Sequence, residues 1–164
     1  MKYTVRTYQS GDECYAADLH RRLYAEEYHW GPAFSDYAAH IAMDYAQQEK
    51  DAGEELFIAE TDGHPAGCIM LCRTEEPDTG QLRLFAVEKE YRCQGIGTAL
   101  LRAFMGKAEQ AGYRKLILWT AHPLKDAIRL YESLGFRTAE TTENYTWSTD
   151  GETVYEIRME MDMD

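Results

Sequence analysis

The chain has 164 residues, of which 45% are hydrophobic and 28% are charged, and its formal net charge is −12. This length fits one ordinary domain, and the composition is that of a soluble globular protein, which excludes a disordered or collagen-like chain. An acidic field repels phosphate backbones and anionic lipid, so neither nucleic acid nor a membrane surface is an expected partner, whereas a cationic ligand is favoured.

The spacing of apolar residues predicts the strands and helices. Alternating apolar and polar residues predict a strand, and apolar residues at every third or fourth position predict a helix. In the first half these patterns predict a strand over 3–8, helices from Asp12 to about Tyr28 and from about Phe34 to a stop at 51–53, and strands over 55–61, 65–73 and 81–87. In the second half they predict a helix over 96–111, a strand over 115–120, a helix over 127–134, and strands over 136–147 and 152–161.

Turn residues and one apolar run indicate how the strands are arranged. The Asp-Gly pairs at 62–63 and 150–151 each predict a hairpin between the flanking strands. The run KLILWT at 115–120 is nearly all apolar, which is typical of a central strand covered on both faces. The element order therefore predicts one α+β domain over 1–164 with a mixed sheet.

The cysteines and the N-terminus bear on metal binding and location. The four cysteines form no C-x-x-C pair and no paired histidines accompany them, so neither a metal site nor a redox motif is predicted. The N-terminal stretch MKYTVRTYQSGDE has no apolar signal-peptide core, and no stretch is long enough to span a membrane. We expect a cytoplasmic protein with reduced thiols.

A turn with two glycines leads into the predicted helix over 96–111. A strand, a glycine-bearing turn and a helix N-terminus can bind an anion, because free backbone N–H groups and the helix dipole point to one place. Gly95 and Gly97 leave room for close approach, and Arg92 can add a charge-assisted contact. A plain helix-packing turn explains the glycine pair equally well. A dinucleotide fingerprint would need a third glycine where Leu100 stands.

Several motifs in order resemble the GNAT acetyltransferases. RCQGIG at 92–97 is similar to that family's Arg/Gln-x-x-Gly-x-Gly pyrophosphate loop, FAV at 85–87 to its cofactor strand, and AIRLYESLGF at 127–136 to its Tyr-containing signature. The resemblance covers the whole chain in element order. It implies a single GNAT-like domain whose central mixed, mostly antiparallel, twisted sheet of about seven strands is flanked by about four helices.

Within the family, two further stretches resemble acetyltransferase domains that are often appended to winged-helix regulators. These are LYAEEY at 23–28 and LILWT at 116–120. No DNA-reading helix pair precedes the domain in this sequence, so we expect it to stand alone and do not carry the regulator function over.

The resemblance implies an N-acetyltransferase that uses acetyl-CoA as cosubstrate. The pantetheine arm would lie where strand 81–87 splays from strand 115–120, and an amine would attack the thioester directly. The residues implied to hold acetyl-CoA are Phe85, Ala86, Val87, Arg92, Cys93, Gln94, Gly95, Ile96, Gly97, Thr98 and Tyr131. Tyr131 also matches the family's general acid, and a phenol with a pKa of about 10 stays protonated near neutrality. A core aromatic residue is the alternative for Tyr131.

The sequence departs from the family where the general base is expected. Gln81 and Trp119 stand at positions where relatives often carry a glutamate. The residues expected near the acceptor amine are Glu26, Glu27, Trp119 and His122. The role of base is left open among His122, Glu26, Glu27 and His29, or a water chain to one of them.

The charge balance and the two glutamates favour a small cationic amine as acceptor, and an amino acid or peptide amine is also compatible with the resemblance. The usual base positions carry no glutamate. The alternative function is therefore a domain that binds acyl-CoA with little turnover, as a sensor or interaction module. A homodimer is left open.

Overall fold

One mixed sheet organises residues 2–163, the part of the chain that the computed structural model describes. Its seven strands within these residues are β1 (Thr4–Arg6), β2 (Glu55–Thr61), β3 (His64–Arg73), β4 (Thr79–Val87), β5 (Lys115–Ala121), β6 (Arg137–Asn144) and β7 (Val154–Asp162). The four α-helices of the same residues are α1 (Asp12–Tyr28), α2 (Pro32–Gln47), α3 (Ile96–Ala111) and α4 (Lys125–Leu134).

The strand order is β1-β2-β3-β4-β5-β7-β6. All neighbouring pairs are antiparallel except β4 and β5, which are parallel and are connected through α3. The predicted hairpin at 62–63 is confirmed, because Asp62 and Gly63 have φ angles of 52° and 76° and join the paired residues Thr61 and His64. The predicted mixed, mostly antiparallel α+β sheet is likewise confirmed.

The helices cover the two faces of the sheet. On one face α1 and α2 bury residues such as Leu19 and Ile41 against Ile58 of β2. On the other face Leu100 and Phe104, one turn apart on α3, are fully buried in a second core. Burial of each such side chain stabilises the fold by about 1.5–3 kcal/mol. Among the helices of residues 2–163, none combines the length and apolar composition that a bilayer crossing needs.

The predicted central strand is fully covered on one face and partly open on the other. Leu116 and Leu118 of β5 are fully buried, whereas Trp119 on the other face is 37% exposed. The reason is that α1 packs over β3 and β4 and leaves this face of β5 partly open. The expectation that 115–120 is covered on both faces is therefore wrong.

In two of the predicted elements, one side chain ends the element earlier than predicted. α2 stops at Gln47 instead of continuing to 51–53, since Lys50 Nζ turns back and donates to the carbonyl oxygens of Tyr45 and Gln48. β6 stops at Asn144, whose Oδ1 accepts hydrogen bonds from the next backbone N–H groups and forms an Asx turn.

The connection between β6 and β7 is a long loop that folds onto the turn between α1 and α2. The Gly31 N–H donates to Trp147 O at 2.8 Å, and the Thr149 N–H donates to His29 O at 2.9 Å. The predicted pairing of the last two strands is confirmed, because β6 and β7 are antiparallel neighbours, but they are joined by this long loop and not by a tight turn at 150–151. The loop from 145 to 153 instead brings Trp147 against the helical layer, with its ring 5.1 Å from that of Trp30.

Candidate functional site

β4 and β5 separate at their carboxyl ends. Their pairing runs from Thr79 opposite Lys115 to Leu82 opposite Leu118, although β4 continues to Val87. Within residues 2–163, the backbone groups of 83–87 that face β5 have no partner on that strand. Because strand ends in an open sheet leave hydrogen-bonding groups available there, a ligand chain can bond to β4 in this gap.

A β-bulge reshapes the same end of β4. Leu84 and Phe85 together stand opposite the one residue between Cys68 and Met70 on β3, and the φ angle of Leu84 is 49°. The bulge reverses the alternation of side chains, so Leu82 and Leu84 enter opposite cores. The Cys68 thiol donates to Leu84 O at 3.1 Å and fixes the bulge from below. Bulges of this kind re-aim backbone groups next to binding sites.

The turn after β4 presents backbone N–H groups towards the gap. Cys93 and Gly95 have φ angles of 62° and 90°, and Gly95 is the N-cap of α3. The first intrahelical bond is donated by the N–H of Ala99 to Gly95 O, so the N–H groups of 96–98 lie in the first turn of the helix, where backbone donors lack helical partners. The turn therefore has the geometry of an anion site.

A cleft of about 480 Å³ lies between the end of β4 and the start of α4, and we call it the α4 cleft. Six of the predicted cofactor residues line it: Phe85, Ala86, Val87, Arg92, Cys93 and Gly97. The other members of the turn stand beside it. Gln94, Gly95 and Thr98 are exposed, and the side chain of Ile96 is buried in the core.

Arg92 is paired with Glu27 at the edge of the α4 cleft. Its Nη1 and Nη2 donate to the two carboxylate oxygens at 2.6 and 2.8 Å, and its Nε donates to Val87 O at 3.2 Å. The hydrogen bonds from Arg92 lower the pKa of Glu27, so this carboxylate stays ionised near neutrality. The guanidinium of Arg92, which was predicted to contact an anion, is thus already paired with Glu27.

A second cavity, of about 100 Å³, adjoins the α4 cleft, and we call it the aromatic cavity. The two share Tyr24, Phe85, Leu124 and Ala127 in their walls. Its rings come from α1, α2, β5, α4 and the β6–β7 loop, and they include Tyr24, Trp30, Phe34, Trp119, Tyr131 and Trp147. Trp30 stacks on Tyr24 with a ring separation of 5.3 Å.

Tyr131 lines the aromatic cavity and not the α4 cleft. It lies one turn after Ala127 on α4, and Ala127 lines both spaces. Its side chain is 5% exposed, and burial raises its pKa well above the ordinary value. The phenol therefore stays protonated at any pH near neutrality and can donate a proton into the aromatic cavity.

The predicted acceptor residues are not all brought together. Trp119 lines the aromatic cavity, as does Gln81. His122 lies outside both cavities, is exposed and accepts a hydrogen bond at Nδ1 from the Tyr155 N–H at 3.0 Å. Glu26 is also exposed and outside both cavities, with Lys89 Nζ 3.9 Å away, and Glu27 is in the α4 cleft.

Sequence reasoning missed Glu156, the carboxylate that lines the aromatic cavity. It is half-buried on β7 and accepts a hydrogen bond from Asn144 Nδ2 at 3.1 Å. The signal was present, because Glu156 alternates with the buried Val154 and so shares its face of the sheet. What the sequence lacked was the pairing of β7 with β5, which sets Glu156 opposite Ala121.

Comparison with known proteins places these features in a family. The model of the acetyltransferase (GNAT) family matches residues 14–136. N-acetylaspartate synthetase of Danio rerio is 33% identical over 116 residues, which are 70% of this chain and 41% of that protein. The chain spans less than half the length of curated relatives of this kind.

Two solved structures share the fold over nearly the whole chain. The ribosomal-protein-S18-alanine N-acetyltransferase of Escherichia coli superposes with a TM-score of 0.74 and 26% identity, over 99% of this chain and 95% of that one. A GNAT family acetyltransferase of Elizabethkingia anophelis with acetyl-CoA bound superposes with a TM-score of 0.71 and 22% identity, over 98% of each chain.

Proposed function

The chain belongs to the GNAT acetyltransferase family, and from that premise we propose that it transfers the acetyl group of acetyl-CoA to an amine of a small molecule, amino acid or peptide. The observation that carries this proposal is the opening between β4 and β5 beside the turn at 92–98. One cleft there offers free strand groups and helix N–H groups side by side, which suits a ligand with a peptide-like arm and a pyrophosphate.

The residues present fit acetyl-CoA. Backbone groups of 85–87 would hydrogen-bond the pantetheine arm in place of the missing strand partner. The N–H groups at the start of α3 would bind the pyrophosphate, with Arg92 released from Glu27 to add a charge-assisted contact. The acetyl-CoA complex of the Elizabethkingia anophelis protein supports this choice of cosubstrate.

Two side chains of the aromatic cavity would supply the acid and the base. Glu156 would take a proton from the acceptor ammonium, directly or through water, so that the free amine can attack the thioester carbon. A backbone N–H at the bulge of β4 would stabilise the developing oxyanion. As the C–S bond breaks, Tyr131 would donate its phenolic proton to the departing thiolate.

Release of free thiol from acetyl-CoA, measured over a panel of amines, amino acids and polyamines, tests the proposal. We expect thiol release that requires both acetyl-CoA and an acceptor, together with a mass gain in the acceptor that matches one acetyl group. If acetyl-CoA protects the fold against heating but no acceptor in the panel releases thiol, the domain is an acyl-CoA sensor and the enzymatic proposal fails.

A further inference from the structure

Arg83 lines the aromatic cavity without a partner. It lies on β4 opposite Met70 of β3, just before the bulge. Its Nε is buried, and within residues 2–163 it is the one buried side-chain nitrogen or oxygen that has no hydrogen-bond partner. A buried polar group in this state is costly and rare in native proteins, and its presence in a cavity points to a ligand.

The other half-buried arginines show how unusual this is. Arg6 pairs with Asp12 at 2.7 Å, Arg22 with a carboxylate at 3.1 Å, and Arg158 with another at 3.2 Å. Arg83 takes part in no ion pair within the described part of the chain. The guanidinium of Arg83 therefore stands in the cavity wall with no anionic partner among residues 2–163.

The charged groups of the aromatic cavity are complementary to a zwitterion. Arg83 supplies a cation and Glu156 an anion, and no ion pair joins the two within residues 2–163. His20 also lines the cavity, but burial lowers its pKa to about 4, so it is neutral near pH 7. A ligand with one ammonium and one carboxylate would satisfy both charged side chains.

Size and position restrict that ligand further. The cavity of about 100 Å³ has room for the compact polar end of a molecule. Arg83 stands immediately before the bulge, where a backbone N–H is proposed to bind the oxyanion. Because Arg83, Glu156 and Tyr131 line the same cavity, a carboxylate bound to Arg83 would lie close to the reacting amine.

We propose that the acceptor is an amino acid whose carboxylate binds Arg83 and whose amine lies between Glu156 and Tyr131. This inference rests on the proposed acetyl transfer and names the substrate class for it. Planar guanidinium groups bind carboxylates through two parallel hydrogen bonds, which lysine cannot reproduce.

The test compares the free amino acids of the kinds found in proteins with their carboxamides as acceptors. We expect kcat/KM to be at least tenfold higher for the acid than for the amide, as for loss of a hydrogen bond to a charged group. In Arg83→Met this ratio should fall towards one through a higher KM for the acid, while CoA affinity stays unchanged. The exposed Arg102 on α3 provides the matched control Arg102→Met, which should keep the wild-type ratio.

Two further readouts separate recognition from structure and from turnover. Because Arg83 has no partner to lose, Arg83→Met should keep or raise the unfolding temperature, whereas a structural arginine would lower it. Calorimetric titration of amino acids into the CoA complex tests binding even without turnover. Equal use of acids and amides, or amino acid binding that Arg83→Met leaves unchanged, overturns the inference. Acetylation of amides by both proteins would then leave the proposed function standing.

Discussion

Gly97 lines the α4 cleft, and its backbone conformation does not require glycine. A Cβ there would lie 3.5 Å from Phe85 Cζ, which is an ordinary contact, and the φ angle is outside the left-handed region. Gly95 differs, because its φ of 90° would strain any other residue. Substitutions at Gly97 therefore report on ligand binding with little disturbance of the fold.

We predict that Gly97→Glu lowers CoA affinity roughly 100-fold or more, since a carboxylate in an anion site meets like charge. Gly97→Ala serves as the control and should bind CoA far more tightly than the Glu variant. Calorimetric titration of CoA measures both, and circular dichroism checks that each variant is folded. Wild-type affinity in a folded Gly97→Glu protein would show that the phosphates bind elsewhere.

Tyr131 carries the second residue-scale prediction. Tyr131→Phe should lower kcat by roughly 100-fold or more, because general acids contribute in that range, with CoA affinity nearly intact. Tyr24→Phe, which removes the hydroxyl of a half-buried tyrosine in the same cavity, should leave kcat nearly unchanged. Since burial raises the pKa of Tyr131, its acid form persists as pH rises to about 10, and kcat should show no loss from its ionisation below that pH. An active Phe variant would assign the proton to water.

Glu27 competes with phosphate for Arg92, so Glu27→Gln should bind CoA more tightly than wild type. The pKa of Glu27 is lowered in the fold, so the stability from its ion pair is present above the unfolded value of about 4.3 and is lost as pH falls through the folded value. The variant should therefore lose less than about 1 kcal/mol at pH 7 and nothing in strong acid. Denaturant melts at both pH values measure this, with the exposed neighbour Glu26→Gln as control. Weaker CoA binding by Glu27→Gln would mean that Glu27 orients Arg92 for the ligand.

At the scale of elements, two glycines predict opposite responses to alanine. A Cβ at Gly67 of β3 would lie 2.7 Å from Ala86 O, so the strand that holds the proposed cofactor must shift. Gly106, inside α3, has open space at its Cβ position. Gly67→Ala should cost about 1–3 kcal/mol and weaken CoA binding, whereas Gly106→Ala should stabilise by about 0.5–1 kcal/mol. Denaturant unfolding decides, and a neutral Gly67→Ala would show that β4 can yield freely.

Elements with regular periodicity could be predicted, and elements ended by one side chain could not. The apolar repeat predicts α3 over its whole length, because apolar residues such as Leu100 and Phe104 recur one turn apart. The ends of α2 and β6 instead depend on Lys50 and Asn144, whose contacts exist only after folding.

The candidate site divides in the same way. Gly97 and Tyr131 could be found from local motifs. Arg83 and Glu156 could not be placed, because the bulge at Leu84 reverses the faces of β4 and because β7 reaches the cavity only through its pairing with β5. Long-range register of this kind leaves no mark in the neighbouring sequence.

At the scale of the whole molecule, net charge and local charge favour different ligands. A net charge of −12 attracts cations at long range. However, Glu26 and Glu27, which we expected near the acceptor, are outside the aromatic cavity. The charged side chains that line this cavity are Arg83 and Glu156. The field of the molecule would thus speed the approach of an amine, while the cavity would select a molecule that also carries an anion.

The short pairing of β4 with β5 divides the sheet into two cooperative units. Within residues 2–163, the strand pairing that joins the meander of β1 to β4 to the half made of β5, β7 and β6 runs only through 79–82 and 115–118. Separation of β4 from β5 breaks few backbone hydrogen bonds. We therefore expect it to be the partial opening of lowest free energy through which the amides of β5 exchange hydrogen with solvent.

Acetyl-CoA seated across the opening would bind both halves at once and close that route. At 100 times its Kd, a ligand released by the opening adds about 2.7 kcal/mol to the free energy of opening. Hydrogen exchange followed by mass spectrometry should therefore show amides of 115–118 slowed about 100-fold by saturating CoA. Equal slowing of every strand would mean that the sheet opens only as a whole. Acetyl-CoA would then take the place of the absent pairing between β4 and β5, and the two halves of the sheet would unfold as one cooperative unit.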